Sequence, residues 1–333
     1  MLDAVVVGAG PVGLACAIAL KRAGLRAEVL EKGALVNSLI GYPTNMEFFS
    51  TPDLLEIGDH PFPTNRYKPL REETIDYYRR VAEVENLAIR LFTRVEAVEG
   101  QAGAFRVRAT ALQDEEAVTL ETRAVVVSTG FFDMVNPLDV PGEDLPKVTH
   151  YFKEPYPYAR QRVLVVGAKN SAAKAALQCH RHGATVIMVV RGEEISERVK
   201  YWIRPDLVNR IAEGSIRAFF NASVEAIRDT EVDIRTPDGP VTIGNDFVLA
   251  MTGYRPDYAF LDRLGIGTLD DPHRTPVFNP DTFETNRAGI YLAGTVCGGL
   301  RTGRWFIENG RHHAASIARD IRMNSQESSD ARI

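Results

Sequence analysis

Paired cysteines are what this chain most obviously lacks. It has three cysteines in 333 residues, Cys16, Cys179 and Cys297, far apart and in neither CxxC nor CxxxxC spacing. An odd number at such separations supports neither a disulfide framework nor an internal dithiol relay, and it suits a protein kept in a reducing cytoplasm. Long apolar runs are also missing. Nothing approaches the ~20 residues that cross a bilayer, and glycine and proline interrupt residues 4–20, so neither a membrane span nor a signal peptide is expected. Basic residues are not in excess: 39 Lys and Arg face 44 Asp and Glu, leaving no stripe that could neutralise a nucleic-acid backbone. HExxH spacing and a Ser/His/Asp order are absent, and the adjacent His312 and His313 cannot share one helical face, so no metal or hydrolytic site is expected.

What the chain does have is a strand, turn, helix, strand pattern, twice. Residues 4–7 (AVVV) run into Gly8, a helical stretch at 14–22, Gly24 and the strand AEVL at 27–30. The pattern returns as VLVV at 163–166, a glycine, the helical SAAKAALQCHRH at 171–182, Gly183 and TVIMVV at 185–190. A length of 333 residues exceeds what one core usually serves, so two nucleotide-binding domains of α/β class with Rossmann-like βαβ units are expected. Alternating β-branched runs at 105–112, 117–121, 224–229 and 232–236 read as meanders, one set after each unit. Two buried strands ending in Thr-Gly, AVVVSTG at 124–130 and DFVLAMTGY at 246–254, mark the crossings between domains. Residues 1–135 and 253–333 therefore form one discontinuous domain, with 136–252 inserted. A final helix over 303–323 is expected to bury Phe306, Ile307, Ala314, Ile317 and Ile321, followed by a frayed polar tail.

Gly8, Gly10 and Gly13 form GxGxxG between strand and helix, which allows a tight turn, close approach of a pyrophosphate and contact of helix with sheet. Glu31, at the end of the second strand, can accept hydrogen bonds from ribose hydroxyls, as FAD or NAD would require. In the second unit Lys169 replaces the second glycine and Ala172 the third. Arg191 follows Gly167 by 24 positions, as Glu31 follows Gly8 by 23, and an arginine there accommodates a 2′-phosphate, hence NADPH. Arg198 and Lys200 can extend that anion pocket.

The segment GIYLAGTVCGG, with Gly294 and Thr295, resembles the closing FAD segment of pyridine-nucleotide-disulfide reductases, although Thr295 stands where their usual residue is Asp. The order FAD half, NADPH insert, FAD half resembles the thioredoxin-reductase-like flavoproteins over almost the whole chain. Within them the chain resembles the bacillithiol-disulfide reductase family, on YPTNMEFFSTPDLLEIGDHPF at 42–62, LPKVTHYFKE at 145–154, GAKNSAAKAAL at 167–177, VKYWIRP at 199–205, NDFVLAMTGYRPDY at 245–258 and FIENGRHHA at 306–314. Many members of that family carry a cysteine where this chain has Val12. Motifs and resemblance together assign FAD to Gly8, Gly10, Pro11, Val12, Gly13, Glu31, Lys32, Tyr42, Asn45, Thr129, Gly130, Gly294 and Thr295. They assign NADPH to Gly167, Lys169, Asn170, Ser171, Ala172, Arg191, Arg198 and Lys200.

The resemblance implies an NADPH-dependent flavoenzyme that reduces an external low-molecular-weight disulfide, a cytoplasmic homo-oligomer with no membrane or nucleic-acid partner. A ferredoxin or flavodoxin–NADP reductase, a flavin monooxygenase and a redox-sensing module without turnover remain alternatives at this point. No catalytic residue is assigned. Cys297, near the FAD-closing glycine, and His150 are the candidates, while Cys16 and Cys179 read as core residues.

Overall fold

A computed structural model describes residues 1–330, and the chain divides into two compact units. The first contains Met1–Ile40, Asn45–Met134 and Tyr254–Ile333; the second contains Gly41–Thr44 and Val135–Gly253. Gly41–Thr44 groups with the second unit because the Thr44 N–H donates to the Lys153 carbonyl at 2.9 Å.

In the first unit Leu2–Val7 lies between Ala27–Leu30 and Ala117–Val127, parallel to both, and Ile290–Leu292 adds to the far side of Ala117–Val127. The long strand Ala117–Val127 does two jobs. Its first half pairs antiparallel with Ala104–Ala111, which pairs in turn with Thr93–Gln101, while its second half, Ala124 to Val127, is buried in the parallel sheet. Continuous burial on both faces explains the unbroken apolar runs, which alternation would have interrupted in a half-exposed strand. The helix Pro11–Arg22 follows the first strand directly and packs against the last helix, His313–Asp330.

The second unit repeats the parallel arrangement, with Arg162–Val166 between Thr185–Val189 and Phe247–Ala250. Alternate residues of these strands serve opposite faces. Val163, Val165, Val186, Met188 and Leu249 meet Ala172, Ala173 and Ala176 of the helix Asn170–Arg181. Leu164, Val166, Val189 and Val248 meet Val224, Ile227, Val232, Ile234 and Ile243 of an antiparallel meander, Ser223–Ile227, Glu231–Thr236 and Gly239–Gly244.

The expected single helix over 303–323 is instead two, Ile307–Gly310 and His313–Asp330. Phe306 is extended, 47% exposed and outside both, because the Asn309 side chain accepts its N–H at 2.7 Å and starts the short helix one residue later. The polar tail expected to fray is helical to Asp330, and residues 331–333 lie outside the described ones. Among the elements with no sequence-based expectation are the helices Arg71–Val84, Arg204–Ala212 and Tyr258–Arg263 and the strands Thr93–Gln101 and Gly239–Gly244.

Candidate functional site

Register puts the first site together. Val7 pairs with Leu30 and with Val127, and Val127 pairs with Leu292, so four parallel strands end level. The residues that follow them, Gly8, Glu31, Ser128 to Gly130, and Gly294 with Thr295, emerge at one carboxyl edge, where open α/β sheets bind their ligands.

The three glycines have three different reasons to be there. Gly8 has φ +107°, and a Cβ on it would stand 2.8 Å from the Ser128 carbonyl oxygen. A Cβ on Gly13 would stand 2.0 Å from the Gly8 oxygen, so the helix lies directly on the turn. Gly10 has ordinary extended backbone and no atom within 4 Å of a Cβ position, which leaves open space in front of the helix N-terminus. Pro11 begins that 12-residue helix, no side chain caps it and its first turn has no acid, so its leading N–H groups and dipole are available to an anion. Ser128, unassigned from sequence, donates its hydroxyl to the Val7 and Gly8 carbonyls, both at 3.0 Å, and pins the turn to the neighbouring strand.

Glu31 is 7% exposed, and its carboxylate accepts the Ala9 N–H at 2.8 Å and the Gly33 N–H at 2.9 Å. Burial raises its pKa and these two bonds oppose the rise. Each oxygen keeps a second lone pair for a ribose hydroxyl. Lys32, assigned to FAD from sequence, is held by Asp133 at 2.9 Å. Asn45 is left-handed at φ +56°, with its N–H 3.4 Å from Glu72 Oε1, and Tyr42 belongs to the segment that groups with the second unit.

Residues far apart in sequence close the same edge. Gly130 has φ +68°, and a Cβ there would lie 3.3 Å from Thr295 Oγ1, which places Thr129 and Gly130 beside the closing segment. Gly294 has φ +82°, and its Cβ position is 3.1 Å from that of Val12. Open space at Gly10, an uncapped helix N-terminus and a buried acceptor at Glu31 suit a dinucleotide pyrophosphate and ribose, so the first site fits FAD.

In the second unit Gly167 has φ +131°, and a Cβ would lie 2.6 Å from the Met251 oxygen. Lys169 occupies the helix N-cap at φ −103°, a conformation open to any residue, so replacing the second glycine brings a cation without strain. Ala172 is fully buried and close to Gly167, while Ser171 lies in the uncapped first turn. Asn170 has another task than the one expected. Its Oδ1 accepts the Lys200 N–H at 3.0 Å and its Nδ2 donates to the Arg198 carbonyl at 3.3 Å, so its amide clasps the basic loop onto the nucleotide turn. The Ser196 N–H donates to the Ala168 carbonyl at 3.2 Å and adds a second clasp. Arg191 and Arg198 are exposed and form no ion pair among the described residues, leaving two guanidinium groups free for a phosphate.

The catalytic candidates are committed elsewhere. His150 Nε2 lies 3.1 Å from Glu143, which also accepts the Leu138 and Asp139 N–H groups, so the pair holds a loop of the second unit. Cys297 and Cys16 are fully buried, and Cys179 is buried as well. Burial pushes the Cys16 and Cys179 thiols up to about 12 and raises Cys297 too, where Cys16 adds to the effect. None is a thiolate at neutral pH. His313 and Trp305, unassigned from sequence, stand beside the segment that follows Ile290–Leu292: the Gly294 N–H donates to His313 Nδ1 at 3.1 Å, and the Trp305 ring meets His313 edge-on at 4.4 Å.

Residues 5–294 match the pyridine nucleotide-disulphide oxidoreductase family. The bacilliredoxin reductase Bdr of Bacillus subtilis is 43% identical over 96% of this chain and 97% of its own. This chain belongs to the bacillithiol disulfide reductases of that family. The solved bacillithiol disulfide reductase of Bacillus cereus superposes with a TM-score of 0.94 at 40% identity, covering 97% of this chain and 99% of that one. The thioredoxin reductase of T. acidophilum, at 20% identity, shares the fold with a TM-score of 0.75 over 97% of this chain and 98% of its own. The family's enzymes are flavin-dependent oxidoreductases that work with FAD and NADPH. Among the described residues no helix is long and apolar enough to cross a membrane.

Proposed function

We propose that this protein is an NADPH-dependent reductase of a low-molecular-weight disulfide, bacillithiol disulfide or the disulfide of a related thiol, that works without a protein dithiol. FAD, when bound, supplies the two-electron chemistry between NADPH and the disulfide. The balance is one disulfide, one NADPH and one proton giving two thiols and NADP⁺.

One observation carries the reading within a family of disulfide reductases: the three cysteines are buried, unpaired and protonated, so electrons leave the flavin for an external acceptor. The uncapped helix behind Gly10 holds the FAD pyrophosphate, and Glu31 accepts from the adenosine ribose. Gly130, Gly294 and Thr295 form the opposite edge of the same site. Arg191 and Arg198, on the loop clasped by Asn170, take the 2′-phosphate of NADPH, with Lys169 and Lys200 adding positive charge.

Anaerobic mixing with NADPH should bleach the flavin, and bacillithiol disulfide should restore its colour faster than glutathione disulfide, cystine, ferredoxin or oxygen. Fastest reoxidation by ferredoxin would replace this reading with a ferredoxin reductase, and absence of bleaching would leave a binding module. The enzyme acts in the cytoplasm as a homo-oligomer, and light scattering that returned a monomer would overturn the assembly.

A further inference from the structure

His313 is 2% exposed, opens the last helix and is used by none of the roles above. Its Nδ1 accepts the Gly294 N–H at 3.1 Å, and Cys297 Sγ lies 3.9 Å from the same nitrogen. The ring lies flat on Phe283, with centroids 3.9 Å apart and planes 18° apart, and Trp305 meets it edge-on at 4.4 Å. An imidazole that accepts at Nδ1 is neutral and carries its proton on Nε2. That Nε2 is buried with no partner among the described residues.

An orphaned buried donor is a cost that leucine or phenylalanine would avoid while filling the same space. What the imidazole adds is an acceptor for one backbone N–H. Gly294 is closely boxed in: its Cβ position is 3.1 Å from Val12 Cβ, and that of Gly310 is 3.2 Å from the Gly294 Cα. Pairing its N–H fixes the Ala293–Gly294 peptide and with it the Gly294 Cα from which the chain turns into Thr295, whose hydroxyl lies beside Gly130.

We propose that His313 is a positioning residue for the flavin, holding the Ala293–Gly294 peptide through Nδ1 and so fixing where the chain enters Thr295 at the closing edge of the FAD site. The proposal rests on the assignment of FAD to that site. His313→Leu fills the space without an acceptor, His313→Asn can offer its amide oxygen where Nδ1 stood, and His313→Gln reaches toward the Nε2 position instead. The measurements are FAD release, followed by recovery of free-flavin fluorescence, the flavin midpoint potential, and kcat and KM for NADPH.

Leu and Gln variants should release FAD about tenfold faster or more and shift the potential, with KM for NADPH unchanged, whereas Asn should restore release to within about threefold of wild type. Wild-type release and potential in a folded Leu or Gln variant would overturn the proposal. So would an Asn variant that folds and behaves like Gln. If Leu fails to fold, the Asn and Gln pair decides alone. Wild-type protein that does not retain FAD would overturn the assignment of the site instead.

Discussion

The proposed NADPH site makes Arg191 the residue on which cofactor choice depends. Arg191→Ala removes a charge-assisted phosphate contact of about 1.5–3 kcal/mol, so KM for NADPH should rise roughly tenfold to a hundredfold while NADH kinetics stay unchanged. Equal weakening of both nucleotides would make Arg191 structural. Cys16 and Cys297 lead to the opposite kind of expectation. Their burial and raised pKa values predict that iodoacetamide leaves the native protein unlabelled, and that Cys16→Ala/Cys297→Ala reduces and reoxidises its flavin within about twofold of wild type. Loss of reoxidation with FAD retained would put a thiol on the path. His313 adds a pH dependence: burial first, then the positive charges of His312 and Arg304, lowers its pKa to about 4. Its folded pKa lies below the unfolded value near 6.5, so the unfolded chain binds the extra proton and stability falls as pH drops from about 6.5 to about 4. Urea unfolding across that range should show the loss in wild type and a slope smaller by about one proton in His313→Asn.

At the scale of elements, the nucleotide turn separates folding from binding. Gly13→Ala drives a Cβ onto the Gly8 carbonyl and should abolish FAD binding and much of the fold. Gly10→Ala meets nothing and needs no unusual φ, so the apo-protein should melt within a few degrees of wild type while FAD binding weakens. Equal loss of melting temperature in both variants would refute this division, and circular dichroism melts of the apo-proteins decide it. Such turns were legible because glycine spacing and an apolar strand are local signals. The helix Arg71–Val84 was missed although its buried Thr74, Tyr77, Tyr78, Val81 and Ala82 have helical spacing, because only Val81 and Ala82 of that stripe are aliphatic and charged residues surround them. The strand Thr93–Gln101 was hidden by a register shift between Val95 and Ala97, which breaks its period of two. The start of the short helix Ile307–Gly310 turns on one side chain, Asn309, which reaches back to accept the Phe306 N–H.

At the scale of the whole molecule, each unit has its own sheet and its own nucleotide turn, so each ligand should stabilise its own unit. Hydrogen exchange should slow around residues 8–31 and 128–130 with FAD, and around 167–200 with NADP⁺. A ligand present at a hundred times its Kd contributes about 2.7 kcal/mol, enough to see as a shift of one unfolding transition. Protection of both regions by either ligand alone would count against separate sites.

The sequence by itself determined two βαβ units, the acid and the arginine that follow their second strands, and the absence of a CxxC pair, because backbone sterics, charge and cysteine count act locally. Only the tertiary structure decided which distant segments meet. Strand register brings Gly294 and Thr295 to Val12 and Gly130, and the last helix then brings His313 to Gly294. It also decided which polar groups are already taken, Lys32 by Asp133 and Asn170 by the basic loop, since a side chain's partner depends on what folding places within about 3 Å of it.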